Sequence, residues 1–506
     1  MVARPEPQLE TESGLADAAH RLLGGRRLLI ATNRGPVTFA TAADGGLRPR
    51  RGSGGLVTAL SQVGRHVPLT WIAAAMTEGD RRAAGDHELL RNVSAGDDMR
   101  VRFAVVDRPV YDAAYNVIAN PLLWFLQHQM WNLPERPSID AGVLRAWDRG
   151  YVRLNEEFAH QILRQVGRRD SRPRIMLHDY HLYLAAGPIR RARPNSVISH
   201  FTHIPWPPSS IWQVIAPRIR EQIVGEMLSN DVVGFQTERY AHNFLRSVES
   251  FVPAARIDYE QSTVRIGRRT VRVRAYPISI DVDATRRAAE SRAARRRREE
   301  LLAVATERVI VRVDRLEPSK NIVRGFAAYE ALLQRHPRLR GHVTFLAFLV
   351  PSRSNLREYR HYAQLVQATV ARINARFGRG DWRPVRAYFE NDYPQGLAGL
   401  SIADVVLVNP LIDGMNLVAK EAAVVSERGS AIVLSETAGA HDQMRDGVLS
   451  VAPGDVAGTA DALAEGLAMP QDERERRLRL LRRGVASEDI EWWLRRQLED
   501  LSEVAG

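Results

Sequence analysis

Short runs of β-branched and apolar residues recur along this chain, each closed by turn residues and followed by a helical pattern. They fall at residues 28–32, 175–177, 197–201, 232–235, 309–313, 343–348, 405–408 and 431–434. Strands alternating with helices imply parallel sheets covered by helices on both faces. Eight such units exceed one modest sheet, and single cores rarely grow past roughly 250–300 residues. A chain of 506 residues is therefore expected to be an α/β protein with two doubly wound domains. The break is expected at Tyr276-Pro277-Ile278-Ser279-Ile280-Asp281, ahead of a charged helix and the strand at Val309. Residues 25–281 then form the first domain and 282–475 the second. Residues 476–506 are expected to be a helix that carries Trp492 and Trp493 back to the first domain for burial, and 1–24 a loose tail.

Composition narrows the function classes. Apolar content of 45% with 26% charged residues suits a soluble globular protein, and no apolar run approaches a membrane span. The acidic, alanine-rich start lacks the basic residues and apolar stretch of a signal peptide, so a cytoplasmic protein without a membrane partner is expected. The absence of cysteine excludes disulfides and thiolate metal sites. A net charge of +12 fits either nucleic acid or small anionic substrates. The densest basic run, 286–298, is mixed with Ala and Glu and lacks aromatics, which favours a solvated helix face over a nucleic-acid groove. The run at 474–483 reads the same way.

Ligands of open α/β sheets bind outside the carboxyl ends of the strands, and polar residues cluster there in this chain. Asn33-Arg34-Gly35-Pro36 follows the first strand, with Gly52-Ser53-Gly54-Gly55-Leu56 beyond it; glycines let a backbone approach a ligand, although a plain turn fits as well. His178-Asp179-Tyr180-His181 and His203-Ile204-Pro205-Trp206-Pro207 end two further strands. Their histidines have no metal-site spacing and no well-placed carboxylate, so hydrogen bonding to a polar substrate is favoured over metal binding or core packing.

Lys320 and Lys420 are the only lysines among 71 basic residues. A surviving ammonium in an arginine-rich chain points to a place where a guanidinium is not equivalent. Lys320 lies five residues after Arg315, and the two suit a pyrophosphate, one as a fork and one as a point charge; an exposed ion-pair face is the bland alternative. Lys420 sits in Asp413-Gly414-Met415-Asn416-Leu417-Val418-Ala419-Lys420-Glu421, where it either steadies the helix or pairs with a carboxylate. There the chain turns at Asp413-Gly414 into a helix whose first N–H groups, near Asn416, Leu417 and Val418, suit a phosphate. Glu421, two turns along, suits ribose hydroxyls, and Asp413 either holds a sugar hydroxyl or caps the helix.

Together these segments resemble the retaining glycosyltransferases of family 20 that make trehalose 6-phosphate. The resemblance runs from about Leu28 to Trp493 and is carried in order by several stretches. In the first half these are Thr32-Asn33-Arg34, Gly54-Gly55-Leu56, Tyr115-Asn116 with Trp124, His178-Asp179-Tyr180-His181, His203-Ile204-Pro205, Gly234-Phe235-Gln236-Thr237-Glu238 and Tyr276-Pro277-Ile278. In the second half they are Arg315 with Lys320, Ser352-Arg353 and the run from Asp413 to Glu421. The resemblance implies a GT-B fold, two Rossmann-like domains facing a cleft. It also implies transfer of glucose from a nucleotide diphosphate glucose to glucose 6-phosphate, with no metal and no cofactor.

Residue by residue, Arg34, Tyr115, Trp124 and Arg353 match positions that hold the acceptor, and Gly54 and Gly55 lie beside the donor. His178 and Asp413 match groups on the donor glucose. Arg315 and Lys320 match the diphosphate clamp, and Met415, Asn416, Leu417, Val418 and Glu421 the remaining donor contacts. Two departures stand out. Trp147-Asp148-Arg149-Gly150-Tyr151 has one residue more than the family's usual Trp-x-x-Tyr, which bears on the acceptor role of Asp148. Glu390-Asn391-Asp392-Tyr393 replaces the segment common near uracil, so Asn391 lines a site open to guanine and GDP-glucose joins UDP-glucose as a donor. Asp80-Arg81-Arg82 and Lys320-Asn321 also resemble the validoxylamine phosphate synthases, which join cyclitols. A silent regulatory or nucleic-acid-binding protein is the reading from another class. A homo-oligomer is compatible with the sequence.

Overall fold

The computed structural model describes residues 13–42, 44–52, 57, 60, 67–86, 88–90, 99–132, 134–167, 170–354 and 356–505. The chain forms two compact units, one of Met1–Pro277 with Glu491–Gly506 and one of Ile278–Ile490.

The first unit is built on a nine-stranded sheet. Its parallel strands are β1 (Leu28–Thr32), β4 (Leu69–Ala74), β5 (Met99–Ala104), β6 (Arg174–His178), β7 (Val197–Phe201), β8 (Val232–Phe235) and β11 (Arg269–Ala275). An antiparallel edge adds β9 (Arg256–Asp258) and β10 (Thr263–Ile266), while β2 (Val37–Thr41) and β3 (Leu47–Arg51) make a separate ribbon. The order is β5-β4-β1-β6-β7-β8-β11-β10-β9. Strands β1, β4, β6, β7 and β8 are buried along their whole length, as strands covered on both faces must be.

The second unit has six parallel strands: β12 (Arg308–Leu316), β13 (Val343–Pro351), β14 (Val385–Tyr388), β15 (Val405–Val408), β16 (Ala431–Ser435) and β17 (Leu449–Val451), in the order β14-β13-β12-β15-β16-β17. Read from their first strands, both sheets run 3-2-1-4-5-6, the Rossmann order. The order reverses between β1 and β6 in one sheet and between β12 and β15 in the other. A crevice opens at such a reversal because the crossover connections leave in opposite directions.

Residues 13–23, expected to belong to a loose tail, form the helix Ser13–Leu23. Leu15, Ala18, Ala19 and Leu22 recur at helical spacing and are buried, and Arg174 donates from Nε to the carbonyl of Leu22 at 3.1 Å. Helix Gln471–Ser487 belongs to the second unit. Its buried Arg474 donates to the carbonyls of Gly466, Leu467 and Met469 and pairs with Asp404. The following helix, Ile490–Ala505, has Trp493 fully buried in the first unit, 5.3 Å from the ring of Phe201. Tyr276 donates to Asp500 at 2.6 Å within the same unit.

The basic run at 286–298 lies on helices Val282–Ala289 and Arg292–Leu302, and several of its arginines pair with nearby carboxylates. Arg296 and Arg297 reach Glu300, and Arg298 reaches Glu427. No helix among the described residues is long and apolar enough to cross a membrane.

Two π-helical segments distinguish the first unit, Ala113–Trp124 and Trp147–Val152. A π turn holds one more residue than an α turn. The extra residue of the Trp147–Tyr151 stretch is absorbed this way, and the two rings still stack, 4.9 Å apart and 15° from parallel. Gly150 is where the two segments touch: a Cβ there would meet Ala113 Cβ at 2.7 Å and Ala114 N at 2.8 Å.

Candidate active site

Backbone strain marks the same places as the topology. Six described non-glycine residues have positive φ, and four of them follow the carboxyl end of a parallel strand: Asp179 (73°), Asn321 (56°), Arg353 (44°) and Asn416 (77°). Each such residue costs about 1–3 kcal/mol and persists only where its surroundings hold it.

In the first unit, β1 ends at Asn33 and Arg34. Asn33 is buried and exchanges hydrogen bonds with the hydroxyl of Tyr111 at 3.3–3.4 Å. Trp71 donates to Thr32 Oγ1 at 2.7 Å, and Thr32 Oγ1 donates to the carbonyl of Arg34, which fixes the loop. Arg34 is exposed. The Tyr111 phenol is pushed up by burial and by Tyr115, against the pull of Asn33 and the Arg34 guanidinium. Tyr115 stacks between Tyr111 (5.4 Å) and His181 (5.8 Å). The ring column continues through Tyr180 to Trp124, which lies on His128 at 3.8 Å. The structure thus brings Arg34, Tyr115 and Trp124 to one wall. Asp148 is on the second π segment, with its carboxylate on Arg218. Gly54 and Gly55 lie outside the described residues.

His178, the last residue of β6, is fully buried, and its Nδ1 lies 3.2 Å from His203 Nε2. Burial holds its imidazole down at about 3, so the ring is neutral and offers one donor and one acceptor. Its other nitrogen, Nε2, has no hydrogen-bond partner among the described residues. Burial likewise depresses His200, to about 3, and His203. The described residues contain no group of three or more histidines and carboxylates spaced to hold a metal.

In the second unit, β12 carries a buried pair, Arg312 and Asp314, with Nη2 to Oδ2 at 2.7 Å. Arg312 Nη2 also donates to the carbonyl of Lys320 at 3.0 Å, so the strand grips the turn that bears Lys320. Asn321 stabilises its own left-handed backbone by donating to the carbonyls of Asn409 (3.0 Å) and Pro453 (2.7 Å). Lys320 Nζ meets Asp413 Oδ2 at 2.5 Å. Burial is the largest influence and works against the ammonium, but Asp413 together with Glu317 and Asp314 outweighs it and the pKa is raised, so Lys320 is charged.

Asp413 also accepts from Asn416 Nδ2 at 3.1 Å. Asn416, not Asp413, is the N-cap of helix Leu417–Val425, its Oδ1 receiving the N–H of Ala419. Leu417 and Val418 supply the first N–H groups of that helix, which have no acceptor within the helix itself. Met415 is buried, and its carbonyl receives the N–H of Ala440 at 2.7 Å.

Sequence reasoning missed Glu317. Its carboxylate is fully buried and faces two arginines expected to hold phosphates, Arg315 at 3.0 Å and Arg353 at 3.6 Å. Ser319 donates to it at 3.1 Å. Arg353 also donates to the Tyr359 hydroxyl at 2.5 Å. Asn391 is exposed, whereas Asp392 is occupied as an N-cap and by Arg297. Glu421 accepts from the Tyr393 hydroxyl at 3.1 Å, and burial pushes its carboxyl up to about 7. Lys420 points away from these groups: buried, held down at about 7 by burial, it donates to the carbonyl of Ile278 at 2.8 Å. The residues that suggested the cyclitol-joining enzymes have structural partners here. Asp80 closes a capping box with Thr77 and accepts from the N–H of Phe39, and Arg81 donates to the carbonyl of Val106.

The profile of glycosyltransferase family 20 matches residues 26–503. A trehalose-6-phosphate synthase of Mycolicibacterium smegmatis is 33% identical over 98% of this chain and 95% of its own length. A bifunctional trehalose-6-phosphate synthase/phosphatase of Thermoproteus tenax is 32% identical over 92% of this chain, which spans only 62% of that longer relative. Among solved structures, a UDP-forming α,α-trehalose-phosphate synthase of Burkholderia xenovorans in complex with glucose-6-phosphate superposes with a TM-score of 0.78. It is 27% identical, over 94% of this chain and 100% of that one.

Proposed function

This chain belongs to glycosyltransferase family 20, and on that premise we propose that it moves glucose from UDP- or GDP-glucose to glucose 6-phosphate, retaining the α configuration and forming α,α-trehalose 6-phosphate. The observation that supports this best is the content of the second sheet's switch point. There a charged lysine, two arginines on one buried carboxylate and a helix N-terminus end on the same strand termini.

Departure of a nucleoside diphosphate develops negative charge on the leaving oxygen. Fixed cations and helix N–H groups stabilise that charge most in the transition state, without reorganising. In this reading Arg315 and Lys320 take the diphosphate, assisted by the N–H groups of Leu417 and Val418. Asp413 and His178 hold the glucosyl hydroxyls, and Asp413 keeps Lys320 charged and in place before the donor arrives. Asn416 and Met415 shape the turn on which the sugar rests, Glu421 accepts from the ribose and Asn391 lines the base. The first unit and Arg353 hold glucose 6-phosphate, with Arg34 and Arg353 for the phosphate and Tyr115, Trp124 and Asp148 around the sugar. The counter-charge is thus supplied by the chain, in a cytoplasmic enzyme that needs neither nucleic acid nor a membrane.

Incubation with glucose 6-phosphate and UDP-, GDP- or ADP-glucose tests the reaction. Release of the nucleoside diphosphate with at least one donor is expected, and none with any donor sinks the assignment. Lys320→Ala is expected to lower kcat about 10²- to 10³-fold, the scale of losing one preorganised donor at a developing anion. Near-normal turnover would remove Lys320 from the clamp.

A further inference from the structure

Tyr393 is unexplained by the roles above. It is the first residue of helix Tyr393–Ser401, two residues after Asn391, and 49% of its surface is exposed, unusual for so large a ring. Its hydroxyl nevertheless has a specific partner, Glu421 Oε1 at 3.1 Å, across 28 residues of sequence. Asp392 fixes the start of the helix by receiving the N–H of Gln395 at 2.9 Å and by pairing with Arg297 at 2.6 Å. The ring is therefore anchored at its backbone and at its hydroxyl, with much of its surface left to solvent.

We propose that Tyr393 is a nucleoside-positioning residue: its hydroxyl orients the Glu421 carboxylate toward the ribose diol, and its exposed ring is the surface on which the base lies. The proposal rests on the donor reading of Glu421 and Asn391 given above. Two physical points support it. The phenol is pushed up by burial and by the Glu421 carboxylate, so it stays protonated and donates to that carboxylate. Its one proton engages Glu421 Oε1, which leaves the other carboxylate oxygen, with its lone pairs, for ribose hydroxyls. A flat ring beside a base contributes without reading its edge, which leaves the choice of base to groups such as Asn391.

Binding of UDP and of GDP, their 2′-deoxy analogues and inorganic pyrophosphate to the full-length chain separates the possibilities. For Tyr393→Ala, affinity for whichever nucleoside diphosphate the parent binds is expected to fall about ten-fold or more, the scale of losing one base–aromatic stack. Pyrophosphate affinity is expected to stay within about two-fold, since the clamp is untouched. For Tyr393→Phe the stack remains, and the parent's preference for the ribose over the 2′-deoxyribose form is expected to shrink several-fold. Equal weakening of pyrophosphate and nucleotide, or unchanged nucleotide binding in Tyr393→Ala, overturns the proposal. A parent that binds nucleoside diphosphate but turns over no nucleotide glucose with glucose 6-phosphate defeats the reaction and leaves Tyr393 standing. A parent that binds neither nucleoside diphosphate defeats both.

Discussion

Glu317 is a residue whose importance lies in what it touches. A buried carboxylate between two cations offsets their repulsion and fixes their side chains before any phosphate arrives. Arg315 is nearly half exposed and Arg353 only 10% exposed, so the same carboxylate serves one arginine open to solvent and one enclosed. Glu317→Gln preserves the shape and removes the charge. Charge-assisted hydrogen bonds contribute about 1.5–3 kcal/mol, so a fall of about ten- to hundred-fold in kcat/KM is expected. Because both arginines are affected, the fall should appear with either substrate varied, whereas Arg353→Ala should chiefly raise the KM for glucose 6-phosphate. Steady-state kinetics on the three proteins check this, and an effect confined to one substrate would refute the shared role. Glu317 was not legible in the sequence because its meaning depends on β13, which brings Arg353 alongside from 36 residues away in the chain. Arg315 and Lys320 were legible because one strand end carries both.

At the scale of elements, strands and the loops after them were readable from residue type alone. Apolar runs of three to six residues have few alternatives once helices separate them, and the turn into helix Leu417–Val425 is written in Asp413-Gly414. The cap was less readable: Asp413 and Asn416 are both good N-caps, and only the ion pair with Lys320 decides between them. The π segments were not readable at all. The sequence around Trp147 shows one residue too many, but whether it loops out or widens a helix is decided by the neighbouring segment at Gly150. Gly150→Ala tests that contact. Alanine gains about 1 kcal/mol in helix propensity, but its Cβ meets backbone atoms, and overpacking of that kind costs about 1–3 kcal/mol. The clash should win, lowering the melting temperature of the first unit by a few degrees and weakening glucose 6-phosphate binding more than nucleotide binding. Thermal melts and equilibrium binding of the two ligands measure both.

For the molecule as a whole, the buried histidines of the first unit set an acid limit. His178 and His200 are held neutral down to about pH 3, whereas unfolded histidine titrates near 6.5. A depressed folded-state value means the unfolded chain binds the extra proton, so stability is complete above about pH 6.5 and is lost as pH falls toward 3. Each ring costs about 1.4 kcal/mol per pH unit, or roughly 4 kcal/mol for the two between pH 6.5 and 5. Urea midpoints at pH 7.5 and 5.0 should therefore differ, and His200→Leu should flatten the dependence. An unchanged slope would mean that these rings accept protons in the fold.

The repeated 3-2-1-4-5-6 strand order has a consequence for descent. Each sheet has its own reversal point and its own set of strand ends, so most residues of the proposed acceptor wall (33–181) and of the proposed leaving-group machinery (312–421) are written in separate stretches of the gene, Arg353 and His178 being the exceptions. Mutation can remodel what receives the sugar while the apparatus that releases it is inherited intact. New products in such a lineage can begin with change concentrated in one half of the coding sequence.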